Sequence, residues 1–79
     1  MNHKVATLLN EQINKVFYSA YLYLDIANFY TRKGLDGFAN WYEIKAKEEQ
    51  DHAMLMNSYL QNNGVELTLE AIAKPDKTL

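Results

Sequence analysis

The sequence predicts an all-α fold, namely a two-helix antiparallel hairpin that forms half of a four-helix bundle. Along two long segments, apolar residues recur at steps of three and four, which is helical spacing rather than strand alternation. The three glycines and the single proline fall within 34–37, at 64 and at 75, so two long segments remain between these positions. The link between the segments is only two to four residues long, which makes the helices antiparallel neighbours.

The first predicted helix covers residues 4–33. Arg32 and Lys33 precede Gly34, which gives a basic last turn followed by a glycine that ends the helix. The apolar stripe of this helix consists of Val5, Leu9, Ile13, Val16, Phe17, Ala20, Leu24 and Ala27.

The second predicted helix covers residues 36–63, with Asp36 as the expected N-cap and Gly64 just beyond its end. Residues 64–79 show neither helical nor strand periodicity, so we expect an extended or partly ordered tail that lies over an apolar groove. Residues 1–79 then form one helical hairpin domain.

The length of 79 residues and the absence of cysteine limit the ways in which this chain can be stabilised. Disulfides, thiolate zinc sites and thiol catalysis are excluded, which leaves a metal bound through His and carboxylates, or self-association. A two-helix hairpin has no closed core, yet 48% of the residues are apolar. We therefore expect a homodimer or a larger homo-oligomer in which a second hairpin completes the bundle.

Charge and hydropathy argue against other partners. The net charge of −2 does not favour nucleic acid or an anionic membrane surface. No apolar run approaches the ~20 residues of a membrane span. The first residues lack the apolar region of a secretory signal, so we expect a cytoplasmic protein.

Glu49 and His52 interrupt the apolar stripe of the second helix near its middle. They are three residues apart and hence neighbours on one helix face. A carboxylate at a core-facing position is costly without a partner, and carboxylate with imidazole suits iron, manganese or zinc. The alternative is an ordinary solvated Glu-x-x-His pair, which is common on helices.

The sequence resembles the first half of a bacterial non-haem ferritin over nearly its whole length. Four segments carry the resemblance: NEQINK at 10–15, FYSAYLYL at 17–24, GLDGFANW at 34–41 and AKEEQDHAM at 46–54. The tail from Val65 is similar to the start of the long crossover of that family. Ferritin-like di-iron bundles combine a lone Glu from each of two helices with a Glu-x-x-His motif from each of the other two.

The resemblance implies iron as the bound metal, with other divalent metals as alternatives. It implies that Glu49 bridges two irons, that His52 is a ligand, and that Glu48 belongs to a third iron position. It places Tyr23 beside the site. The implied reaction is oxidation of Fe(II) by dioxygen or peroxide, followed by storage of ferric mineral.

Two departures from the family pattern leave alternatives open. The lone Glu of the first helix falls at position 16, where this chain has Val16. We also expect Val16 to face the site, so one carboxylate ligand is missing. The chain corresponds to two helices rather than four. Three interpretations therefore stay open. Two hairpins together build an iron site with fewer ligands than usual, the chain is a fragment of a longer ferritin, or it is a metal-free dimerisation module.

Overall fold

The computed structural model describes residues 1–75, and the last four residues of the predicted tail lie outside them. Helix α1 is His3–Arg32 and helix α2 is Asp36–Asn62. They form an antiparallel hairpin 47 Å long, and no strand occurs among the described residues. The predicted all-α hairpin is confirmed. Each helix ends one residue earlier than predicted, and α1 also begins one residue earlier.

Side-chain and backbone capping explains both ends of α1. The Asn2 side-chain oxygen accepts from the backbone N–H of Lys4 at 2.7 Å, which satisfies a donor that has no partner within the helix. At the other end Gly34 adopts φ 72°. Its N–H donates to Thr31, while that of the next residue donates to Tyr30. This is a Schellman motif, in which glycine takes the left-handed conformation without a Cβ penalty.

Helix α2 begins differently from the prediction. Leu35 is the N-cap, Asp36 is the first helical residue, and no side chain caps this end. Asp36 thus lies in the first turn, where a negative charge interacts favourably with the helix dipole. The other end repeats the Schellman motif, with Gly64 at φ 70° and the Val65 N–H bonded to the Leu60 carbonyl at 2.9 Å.

The core lies towards the open end of the hairpin, away from the turn. The core cluster consists of Ile13, Val16, Ala53 and Leu60. Ile13, Ala53 and Leu60 are fully buried. Ala27 and Ala39 are also buried, outside this cluster.

The segment 65–70, here called the strap, supplies the third side of this core. Val65 and Leu67 pack against the core cluster. The polypeptide then continues along the N-terminal half of α1, held by hydrogen bonds from Asn10 and Asn14. The predicted extended tail over an apolar groove is therefore present through the described residues.

The turn end carries an aromatic cluster, defined as Tyr23, Phe29, Tyr30, Phe38, Trp41 and Tyr42. The Tyr30 ring stacks on Tyr42 with centroids 5.7 Å apart and on Phe38 at 5.2 Å. Trp41 meets Tyr42 edge-on at 4.9 Å. These contacts are favourable offset or edge arrangements, but Phe38 and Trp41 remain more than half exposed.

Candidate metal site

An open groove of about 430 Å³ lies between the two helices near the middle of α2. Helix α2 contributes Glu49 and His52 to its lining, and α1 contributes Val16 and Gln12. Leu55 and Met56 complete the walls. The groove therefore places one carboxylate, one imidazole and one carboxamide among apolar side chains.

Glu49 and His52 lie side by side because three residues on an α-helix bring side chains to the same face. Glu49 Oε1 is 3.8 Å from His52 Nδ1. Oxygen and nitrogen ligands lie about 2.1 Å from a bound metal, so two donors to one ion are at most about 4.2 Å apart. The observed separation is compatible with both atoms binding the same ion.

The exposure of the two side chains differs. Glu49 is 27% exposed, whereas His52 is 61% exposed. His52 also shares the open face of α2 with exposed apolar side chains, among them Leu55. A further helix laid on this face would desolvate the imidazole.

Val16 lines the groove but belongs to the hydrophobic core. It is 7% exposed and packs within the core cluster. Gln12 lies one turn earlier on α1 and is the polar side chain that this helix offers to the groove. Gln12 was not predicted from the sequence, because a neutral carboxamide on a helix surface gives no metal-site signal by itself.

Glu48 and Tyr23 lie away from the groove lining. Glu48 Oε2 is 3.6 Å from Lys45 Nζ, an i,i+3 pair in which the Glu48 side chain is 51% exposed. The Tyr23 ring contacts Tyr42, with centroids 6.1 Å apart, and so joins the aromatic cluster. Their proposed roles at an iron site remain predictions.

Within residues 1–75, no group of three or more His, Cys, Asp or Glu side chains is placed to hold a metal ion. Glu49 and His52 thus form a pair of potential donors and not a metal-binding group by themselves. A complete site needs donors from outside this hairpin, since di-metal sites in helical bundles draw ligands from all four helices.

Comparison with known proteins identifies the family. A family model described as a ferritin-like domain matches residues 6–79. The chain belongs to the ferritin family. This confirms the resemblance carried by the sequence motifs.

The matching relatives are about twice as long as this chain. It is 36% identical over 75 residues to a bacterial non-heme ferritin of Staphylococcus saprophyticus, covering 95% of this chain and 45% of the relative. A bacterial non-heme ferritin of Bacteroides fragilis is 35% identical over 77 residues, covering 98% and 45% respectively. This chain thus spans about half the length of these ferritins.

This chain also spans about half the length of the solved structures that it matches. An open pore ferritin from Archaeoglobus fulgidus superposes with a TM-score of 0.94 at 38% identity, covering 100% of this chain and 49% of that one. A humanized archaeal ferritin gives a TM-score of 0.95 at 40% identity, covering 100% and 48%. The hairpin is therefore half of a ferritin-like four-helix bundle, as predicted. Among the described residues, no helix has the length and apolar character to cross a membrane.

Proposed function

We propose that this chain is an iron-binding protein of the ferritin type in which two copies of the hairpin complete one four-helix bundle. Glu49 and His52 of each copy supply the iron ligands. The observation that supports this most directly is the 3.8 Å pairing of these two side chains in a groove at the middle of α2. A twofold axis at the middle of α2 would bring both pairs together.

The exposed face of α2 supports pairing with a second hairpin. Trp41, Ile44, Leu55 and Tyr59 are each 49–69% exposed and lie on one side of the helix, on the same stripe as His52. Exposed apolar side chains that share one helix face mark an interaction surface in a soluble protein. A second copy presents the same face, which a twofold axis makes self-complementary.

The ligand set supports iron binding with slower oxidation of Fe(II). Two hairpins give two carboxylates and two imidazoles, while Val16 contributes no charge from α1. Carboxylate and imidazole ligands suit Fe(II). Membership of the ferritin family supports iron storage and Fe(II) oxidation by dioxygen or peroxide as the function, and we expect oxidation to be slower because the α1 carboxylate is missing.

Anaerobic titration with Fe(II) tests the proposal. We expect saturable binding that is lost in the double variant Glu49→Ala, His52→Ala. A matched control removes one carboxylate and one imidazole elsewhere, through Asp51→Ala and His3→Ala, both at exposed positions. Equal binding by the two double variants would overturn the assignment of the site.

A second candidate function is a metal-free dimerisation module, and the burial of Val16 in the core favours it. In that case the unfolding temperature would not change when Fe(II), Mn(II) or Zn(II) is added. If the metal binds only the folded state, a concentration of 100 times its dissociation constant stabilises that state by about 2.7 kcal/mol. Thermal unfolding with and without metal separates the two functions.

A further inference from the structure

Asn10 and Asn14 form a ladder of hydrogen bonds to the strap. The Thr68 N–H donates to Asn10 Oδ1 at 2.7 Å, and the Glu70 N–H donates to Asn14 Oδ1 at 2.8 Å. In the other direction, the Thr68 carbonyl accepts from the side-chain amides of Asn14 at 3.0 Å and Asn10 at 3.2 Å. Four hydrogen bonds therefore join two side chains to two residues of extended backbone.

The chemistry of the carboxamide explains why asparagine occupies both positions. A carboxamide carries a donor and an acceptor side by side, as a peptide group does. Asn10 and Asn14 are four residues apart, so they lie one above the other on the same face of α1. The two side chains thus present the hydrogen-bonding edge of a strand on the surface of a helix.

Apolar contacts fix the strap in the same place. Val65 and Leu67 pack against the core cluster, while the backbone at Thr68 and Glu70 meets the asparagines. The Asn14 amide also donates to the Asn10 carbonyl at 2.9 Å, which limits its rotation before the strap arrives. Backbone recognition and side-chain burial therefore act along one continuous segment.

We propose that Asn10 and Asn14 are a docking site for extended polypeptide backbone, occupied in cis by the strap. The site recognises the backbone of the segment and not its side chains, because all four hydrogen bonds are made to backbone atoms of the strap. Its role is to latch the segment after α2 onto α1 and so to set the direction in which the chain leaves the hairpin. This role does not depend on iron binding.

Amide hydrogen exchange, measured by NMR on the 79-residue chain, tests the site one bond at a time. Asn10→Ala should accelerate exchange of the Thr68 amide about fivefold, and Asn14→Ala that of Glu70 by a similar factor, because each removes the acceptor of one N–H. The double variant should also remove the contacts of Leu67 with the core cluster. Asn28→Ala, at an exposed position of the same helix, should change neither amide.

A conservative variant separates docking from a general loss of stability. Asn10→Asp keeps the acceptor for the Thr68 N–H and removes only the amide donor, so Thr68 should stay protected. If the Thr68 and Glu70 amides exchange at the same rate in the wild type and in the double alanine variant, the proposal is overturned. Loss of protection throughout both helices in either single alanine variant would also overturn it, since the bonds would then maintain the whole fold rather than latch the strap.

Discussion

The open end and the turn end of the hairpin are both rich in apolar side chains, but among the described residues the large side chains that are fully buried, Ile13 and Leu60, lie at the open end. At the open end, Ile13 and Leu60 are fully buried because the strap lies across the two helices. At the turn end, Phe38 is 59% exposed and Trp41 is 53% exposed, although their rings contact other aromatic rings.

The difference shows how much apolar surface two helices can bury when no third element packs against them. Two packed helices cover only the faces that they turn towards each other, and a third element is needed to close a core. The strap is that element at the open end. At the turn end, the missing element must come from another hairpin or from further helices, as in the four-helix bundles of ferritins.

The largest expected effect comes from truncating the core at the open end. Leu60→Ala should destabilise the fold by about 2–5 kcal/mol, the usual range for a buried leucine. Leu55→Ala on the same helix is the matched control, because Leu55 is 69% exposed. It should change the unfolding free energy by about 0.5 kcal/mol or less in the monomer. Urea unfolding followed by circular dichroism measures both, and equal losses would contradict the comparison.

The next effect concerns self-association at the exposed face near the turn. Trp41→Ala should weaken the proposed homodimer about tenfold or more, since buried tryptophans dominate the energy of protein interfaces. Sedimentation equilibrium over a range of concentrations measures the dissociation constant. Leu69→Ala is the control, because Leu69 lies beyond the two helices and is 66% exposed. An unchanged dissociation constant for the Trp41 variant would place the interface elsewhere.

The Schellman motifs that end α1 and α2 should respond alike to substitution of their glycines. Gly34→Ala and Gly64→Ala should each cost about 1–2 kcal/mol, because both glycines have positive φ angles near 70°. Gly37→Ala is the matched control, since Gly37 is helical with open space around its Cα. It should stabilise the fold by about 0.5–1 kcal/mol. Thermal unfolding gives all three, and a much larger loss at one end would mean that packing adds to the backbone effect there.

The smallest effect is expected from Glu48→Gln. Its partner Lys45 is 38% exposed and Glu48 itself 51% exposed, so solvent screens the pair and its loss should cost about 0.5 kcal/mol or less. If Glu48 belongs to a third iron position, the same variant should bind fewer Fe(II) ions per chain at saturation. An unchanged stoichiometry would remove Glu48 from the site.

The sequence predicted the helices and the Glu49–His52 pair because both depend on local spacing. Period and glycine positions fixed the helix ends to within one residue. The N-cap of α2 was assigned to Asp36 instead of Leu35, since cap preferences are statistical and this helix start uses no side-chain cap. Gln12 was missed because a neutral side chain on a helix surface gives no signal until the groove wall is known.

The sequence by itself therefore determined the class of fold, the family and the pairing of Glu49 with His52, all of which follow from residues a few positions apart. Only the tertiary structure decided that Tyr23 joins the aromatic cluster and that Asn10 holds Thr68. The last contact spans 58 positions in the sequence. No local pattern specifies such a pairing, because it exists only after α2 has folded back on α1 and delivered the strap to its surface.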